Sequence, residues 1–190
     1  AGDTVDHLYH NDGDGTFTDW NTDLCDGATT CDDVAGLGFT AGMFDYDEDG
    51  DLDIYLVNDD IGGNNQPNKF WRNDGEDPGG GWLFVEVGQT NGSGVSVNGM
   101  GLGIGDPDND GLLDVVVASD NDPAPPALGA TTGVSVLLGD GSGDFSSVTS
   151  YPIAGQPNGV VALDLDGSNR LDLAVANAIT GNVDVLLNAP

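Results

Sequence analysis

Three stretches of this chain place aspartates at alternate positions and then run straight into an apolar segment. The first is D-Y-D-E-D-G-D-L-D, Asp45 to Asp53, followed by I-Y-L-V-N. The second is D-P-D-N-D-G-L-L-D, Asp106 to Asp114, followed by V-V-V-A-S. The third is D-L-D-G-S-N-R-L-D, Asp164 to Asp172, followed by L-A-V-A-N. Carboxylates this close repel one another unless a cation sits among them. Hard oxygen donors on a short flexible loop suit Ca²⁺ better than the other common metals.

The nine positions of each loop carry separate expectations. Carboxylates at positions one, three and five converge if the backbone curls tightly: Asp45, Asp47 and Asp49, then Asp106, Asp108 and Asp110. In the third loop they are Asp164, Asp166 and the neutral Ser168, so this site is expected to bind most weakly. Position six needs a positive φ, which Gly50 and Gly111 adopt freely and Asn169 tolerates. Position seven offers a backbone carbonyl from Asp51, Leu112 or Arg170, and position nine closes the shell with Asp53, Asp114 or Asp172. An EF-hand is excluded, because its twelfth position must be Glu and here is Leu56, Val117 or Val175. The plainer alternative is an acidic surface turn without metal.

The elements that must hold these loops are β-strands. Short runs of Val, Ile, Leu and aromatics alternate between Gly, Asn and Asp turns, and no helical stripe is visible. The loops recur at spacings of 61 and 58 residues. A second landmark, a strand ending in a turn, recurs in phase at 7–17, 69–75, 134–145 and 183–188. A fixed period of this size marks an array of supersecondary units. Each unit reads as four strands, in the first case Gly36 to Phe44, Leu52 to Asn58, Asn68 to Asn73 and Trp82 to Val87.

G-L-G-F-T-A-G-M-F-D-Y-D-E-D-G-D-L-D-I-Y-L-V-N resembles the strand, calcium loop and strand of FG-GAP or VCBS repeats, the blades of integrin-alpha-type β-propellers. L-Y-H-N-D-G-D-G-T-F-T-D resembles their closing hairpin. The resemblance covers nearly the whole chain. It implies an all-β fold of tandem four-stranded blades, with Ca²⁺ held structurally by the loop carboxylates. Ser168 and Asn169 depart from the pattern in the third loop.

At roughly 60 residues per blade the chain holds about three, whereas closed propellers use four to eight. Both ends fall at one repeat phase, so a complete self-closed ring is not expected. The units are 1–35, the end of a preceding repeat carrying an insertion between Cys25 and Cys31; 36–96; 97–155; and an incomplete 156–190. Copies or flanking repeats are then expected to join end to end, as a ring or a filament.

The net charge is −30, with 33 acids against Lys69, Arg72 and Arg170. Such a chain repels nucleic acid and anionic membrane surfaces. No run reaches the length of a membrane span. A start at Ala1 fits a processed product or an excised segment. Cys25 and Cys31 bracket a small loop that a disulfide would close in an oxidising compartment. The alternative is two free thiols; with a disulfide and calcium loops the expected location is outside the cell.

Catalytic constellations are missing. His7 and His10 fall on opposite faces of one strand, and no nucleophile or zinc-protease motif is present, so no catalytic residue is assigned. Asn91-Gly92-Ser93 is an N-glycan acceptor pattern, and Thr131 and Thr132 follow a Pro-rich loop suited to O-glycans. Tyr9, Trp20, Trp71, Trp82 and Tyr151 offer rings to core packing or to sugars. The expected role is a calcium-stabilised structural or adhesive repeat protein. The alternatives are a glycan-binding module, or the non-catalytic propeller part of a secreted polysaccharide-degrading enzyme.

Overall fold

A computed structural model describes residues 6–21, 23–25, 37–59, 67–120 and 132–188. Among them are thirteen strands, one short 3-10 turn at Asp23–Cys25, and no α-helix. Strands β1 (Tyr9–Asn11) and β2 (Phe17–Asp19) form a hairpin. Strands β3 (Gly38–Phe44), β4 (Asp53–Asn58), β5 (Lys69–Glu76) and β6 (Trp82–Glu86) make a four-stranded antiparallel meander. A second such sheet follows from β7 (Gly99–Gly105), β8 (Asp114–Ser119), β9 (Gly133–Gly139) and β10 (Phe145–Pro152). The third has three strands: β11 (Pro157–Leu163), β12 (Asp172–Asn177) and β13 (Val183–Leu186). The fold is therefore all-β, built of tandem propeller-type blades that do not close into a barrel.

The sheets stack face to face, which explains the continuous apolar runs after each acidic loop. In β8 every residue is buried, and alternate side chains serve opposite cores. Val115 and Val117 face the first sheet and pack with Tyr55, Val57 and Phe70. Val116 and Ala118 face the third and pack with Val160, Leu173 and Val175. The first sheet's other face is also covered, since Leu8 and Leu24 pack on Ile54, Leu56, Trp71 and Phe84.

Stacking is closest along the first strands, where β7 lies against β3 and β11 against β7. Glycine permits this approach: a Cβ on Gly101 would stand 2.6 Å from the carbonyl oxygen of Asn158 and 2.8 Å from the Cα of Gly159. Each first strand also carries a bulge at the same place, between Gly38 and Thr40, Gly99 and Gly101, and Pro157 and Gly159.

The third sheet's outward face differs. Its positions equivalent to the covered Tyr55 and Val57 are Ala174 and Ala176, flanked by Val161, Val183 and Val185, which are exposed by 56%, 64% and 50%. The gaps between sheets also differ. Between the first and second, Tyr46, Phe70 and Phe145 fill the space, with Tyr46 and Phe70 ring centroids 4.3 Å apart. Between the second and third, a cavity of about 820 Å³ is lined by Pro107, Leu138, Tyr151, Arg170 and Leu186. Pro107 stands at the loop position that Tyr46 occupies in the first repeat.

Candidate metal centres

Each acidic loop joins the first and second strands of its sheet and curls as a tight turn. Position six is left-handed in all three, with φ of 98° at Gly50, 92° at Gly111 and 63° at Asn169. Position four is left-handed as well, at Glu48, Asn109 and Gly167, a requirement the sequence reading missed. Glycine sits at position six in two loops and at position four in the third. One flexible residue per loop is supplied either way.

The position-one carboxylate organises the turn. Asp45 accepts the N–H groups of Asp49 and Gly50, both at 3.1 Å. Asp106 accepts those of Asp110 and Gly111 at 3.1 and 3.0 Å. Asp164 accepts those of Gly167, Ser168 and Asn169 at 2.8, 3.1 and 3.0 Å.

Three carboxylates converge in every loop, from positions one, three and nine. They are Asp45, Asp47 and Asp53; Asp106, Asp108 and Asp114; and Asp164, Asp166 and Asp172, with one oxygen from each within 4.8 Å of the others. Position five, expected as a further ligand, is not among the three that converge; Asp49 and Asp110 accept the position-seven N–H groups of Asp51 and Leu112, both at 2.9 Å. Ser168 contributes its own N–H to Asp164 and Asp166. Arg170 borders the cavity between the second and third sheets.

Position nine is the buried anchor. Asp53, Asp114 and Asp172 are all fully covered. In each, Oδ1 accepts an N–H at 2.8 Å: from Asn73 within β5, from Gly139 at the end of β9, and from Asn188 just past β13. In two, Oδ2 accepts the position-two N–H, from Tyr46 at 3.0 Å and Leu165 at 2.9 Å. In the middle loop position two is Pro107, which has no N–H, and Asp114 Oδ2 has no partner. Asp47 Oδ1 is also buried without one.

Burial raises the carboxyl pKa of Asp53 to about 6 and that of Asp114 to about 7, against backbone hydrogen bonds that lower both and neighbouring aspartates that raise both. Asp47 and Asp108 are raised too, first by burial and then by the charges of adjacent loop aspartates. Asp172 goes the other way, because the Asn188 and Leu165 N–H groups outweigh its desolvation. It is shielded from water locally, but the last sheet puts little protein beyond it.

These sites are crowded and acidic, each with one fully buried carboxylate, and the first two also hold a buried oxygen that lacks a hydrogen-bond donor. A metal ion fits that donor set. Asn91, expected as a glycan acceptor, is instead 5% exposed: its Nδ2 donates to the Gly143 carbonyl at 3.2 Å, and its Oδ1 accepts the N–H and hydroxyl of Ser93. The Asn-Gly-Ser pattern works here as an internal turn. Trp71 is core at 1% exposure, and Trp20 stacks on His10 with centroids 3.8 Å apart. Thr132 is half-buried, whereas Cys31 and Thr131 lie outside the described residues, and with them the expected Cys25–Cys31 pairing.

No match was found among curated proteins. Comparison with known families matches the FG-GAP-like repeat to residues 45–117 and again to 106–175, so each match begins on the first aspartate of one loop and ends in the strand after the next. The chain belongs to the FG-GAP-like repeat family.

Proposed function

We propose that this is a non-catalytic, extracellular structural or adhesive repeat module whose sheets are clamped by Ca²⁺ in the three loops and which joins further repeats or copies of itself. The observation that carries the reading is the recurrence of one construction three times: a carboxylate triad whose position-nine member is wholly buried and tied to the third strand. Repetition of a buried acid at the same place in each sheet suits a structural ion. The ion would be held by Asp45, Asp47 and Asp53, by Asp106, Asp108 and Asp114, and by Asp164, Asp166 and Asp172. It would neutralise their mutual repulsion and fix the turn to the sheet. Hard oxygen donors, with no Cys or His among them, favour Ca²⁺ over softer metals.

The assembly part rests on the third sheet. Its outward face carries Val161, Val183 and Val185 at positions whose counterparts in the other sheets are covered by a neighbouring sheet. Near the other end of the chain, Leu8 is already packed within the chain. Phe17 and Leu187 remain exposed. A glycan-binding role is the second reading, supported by Tyr151 and Arg170 on the wall of the cavity between the second and third sheets.

Calcium-dependent melting tests the clamp. Sites of this extracellular kind bind at roughly 0.1–1 mM. At ten times the dissociation constant each contributes about 1.4 kcal/mol. Three such sites give on the order of 4 kcal/mol, a large share of the roughly 5–15 kcal/mol available to a domain. Excess chelator is expected to lower the Tm by well over 5 °C, and an unchanged melt would remove the clamp from consideration.

A further inference from the structure

We propose that the middle loop is the tightest of the three cation sites, and that Pro107 makes it so by withholding a hydrogen bond from Asp114. The inference rests on the calcium reading above. It reverses the order that charge alone gives, because the first loop also carries Glu48 and Asp51 and is the more acidic.

The three position-nine aspartates are built alike except at one atom. Asp53 Oδ2 accepts the Tyr46 N–H and Asp172 Oδ2 accepts the Leu165 N–H. Asp114 Oδ2 is buried and accepts nothing, and the residue at the equivalent donor position is Pro107. Its Oδ1 is already committed to the Gly139 N–H at 2.8 Å, so the carboxylate cannot turn to find another donor. A buried oxygen without a partner carries an unrelieved desolvation penalty. In the metal-free middle site that penalty stands. A cation among Asp106, Asp108 and Asp114 removes it, and binding gains by that amount. The other two anchors are satisfied before the ion arrives and gain less.

The first loop has an orphan of its own, Asp47 Oδ1. Asp47, however, stands on the loop and is partly exposed, so it can swing to water without the ion. Asp114 begins β8 and is fully covered. The middle loop is also braced from outside. Asn188 Nδ2 donates to the Pro107 carbonyl at 2.5 Å, and Asn109 Nδ2 donates to the Asn169 carbonyl at 3.1 Å. A loop held in place loses less entropy on binding.

The test is a calcium titration of the whole chain by calorimetry, with wild type, P107A, L165P and D114N. Pro107→Ala restores the missing N–H donor. It is expected to weaken the tightest site roughly tenfold, the size of one unmet buried hydrogen bond, and to raise the Tm in chelator. Leu165→Pro, at a half-exposed leucine, removes the matching donor in the third loop and is expected to tighten that site. Asp114→Asn is expected to abolish the tightest class of binding. Calcium uptake that is indifferent to Pro107→Ala, or an Asp114→Asn variant that loses a weaker class, overturns this proposal alone. A wild-type chain that takes up no calcium overturns the clamp reading and this proposal together.

Discussion

At the scale of single residues, the carboxyls at position nine set the acid behaviour of the metal-free protein. Asp53 and Asp114 have folded-state pKa values raised to about 6 and about 7, chiefly by burial. Between the ordinary carboxylate range and these values, the folded chain binds more protons than the unfolded one. Stability in chelator is therefore expected to be highest near pH 4 and to fall as pH rises through 6 to 7. Asp172, with its lowered pKa, contributes in the opposite sense, losing its part as pH drops below the ordinary range. In saturating calcium the downward slope between pH 4 and 7 should flatten or reverse, since the ion takes the proton's place. Thermal melts across pH, with and without calcium, check this. An identical pH profile in both conditions would contradict it. Much of the site was legible: alternate aspartates and a positive-φ residue at position six are local signals. The left-handed position four at Glu48 and Asn109 was not, because neither residue type demands that conformation. Nor was the orphaned oxygen of Asp114, which needs both Pro107 and the Gly139 N–H to be in view.

At the scale of elements, the first strand of each sheet is where stacking is decided. A side chain on Gly101 would meet backbone atoms of β11, which cannot rotate away. Gly101→Ala is therefore expected to cost about 1–3 kcal/mol from overpacking, measured by denaturant unfolding in calcium. A cost near zero would mean that the sheets slide apart without penalty. The strand expectations were close: Trp82 to Val87 against the observed Trp82–Glu86, and Leu52 to Asn58 against Asp53–Asn58. Period-two alternation and turn residues carry that information locally. Which face of β8 meets which sheet was not legible, because V-V-V-A is apolar on both sides. The cavity beside Pro107 was equally hidden. It follows from the absence there of the ring that Tyr46 supplies in the first gap.

At the scale of the whole molecule, the outward valines of the third sheet bear on assembly. Val183→Asp places a charge on that face, on its edge strand β13. If the face mates with a further copy, wild type in calcium should sediment as a concentration-dependent oligomer, and the variant as a monomer with unchanged Tm. A wild type that stays monomeric at all concentrations would remove self-association from the reading. The net charge of −30 opposes such contact, and three bound Ca²⁺ would bring it to about −24. Calcium is therefore expected to promote association as well as folding.

The bonds that Asp53, Asp114 and Asp172 accept from Asn73 in β5, Gly139 in β9 and Asn188 just past β13 have a mechanical consequence. Each one ties the start of the second strand to a residue 16 to 25 positions later in the chain. A pull along the chain must break that stitch before the meander can unzip strand by strand. With loops 61 and 58 residues apart, each sheet that gives way should release roughly 200 Å of contour. Optical-tweezer traces are expected to show steps of that length, at higher force with calcium than in chelator. A smooth extension without steps in calcium would mean that the stitches bear no load.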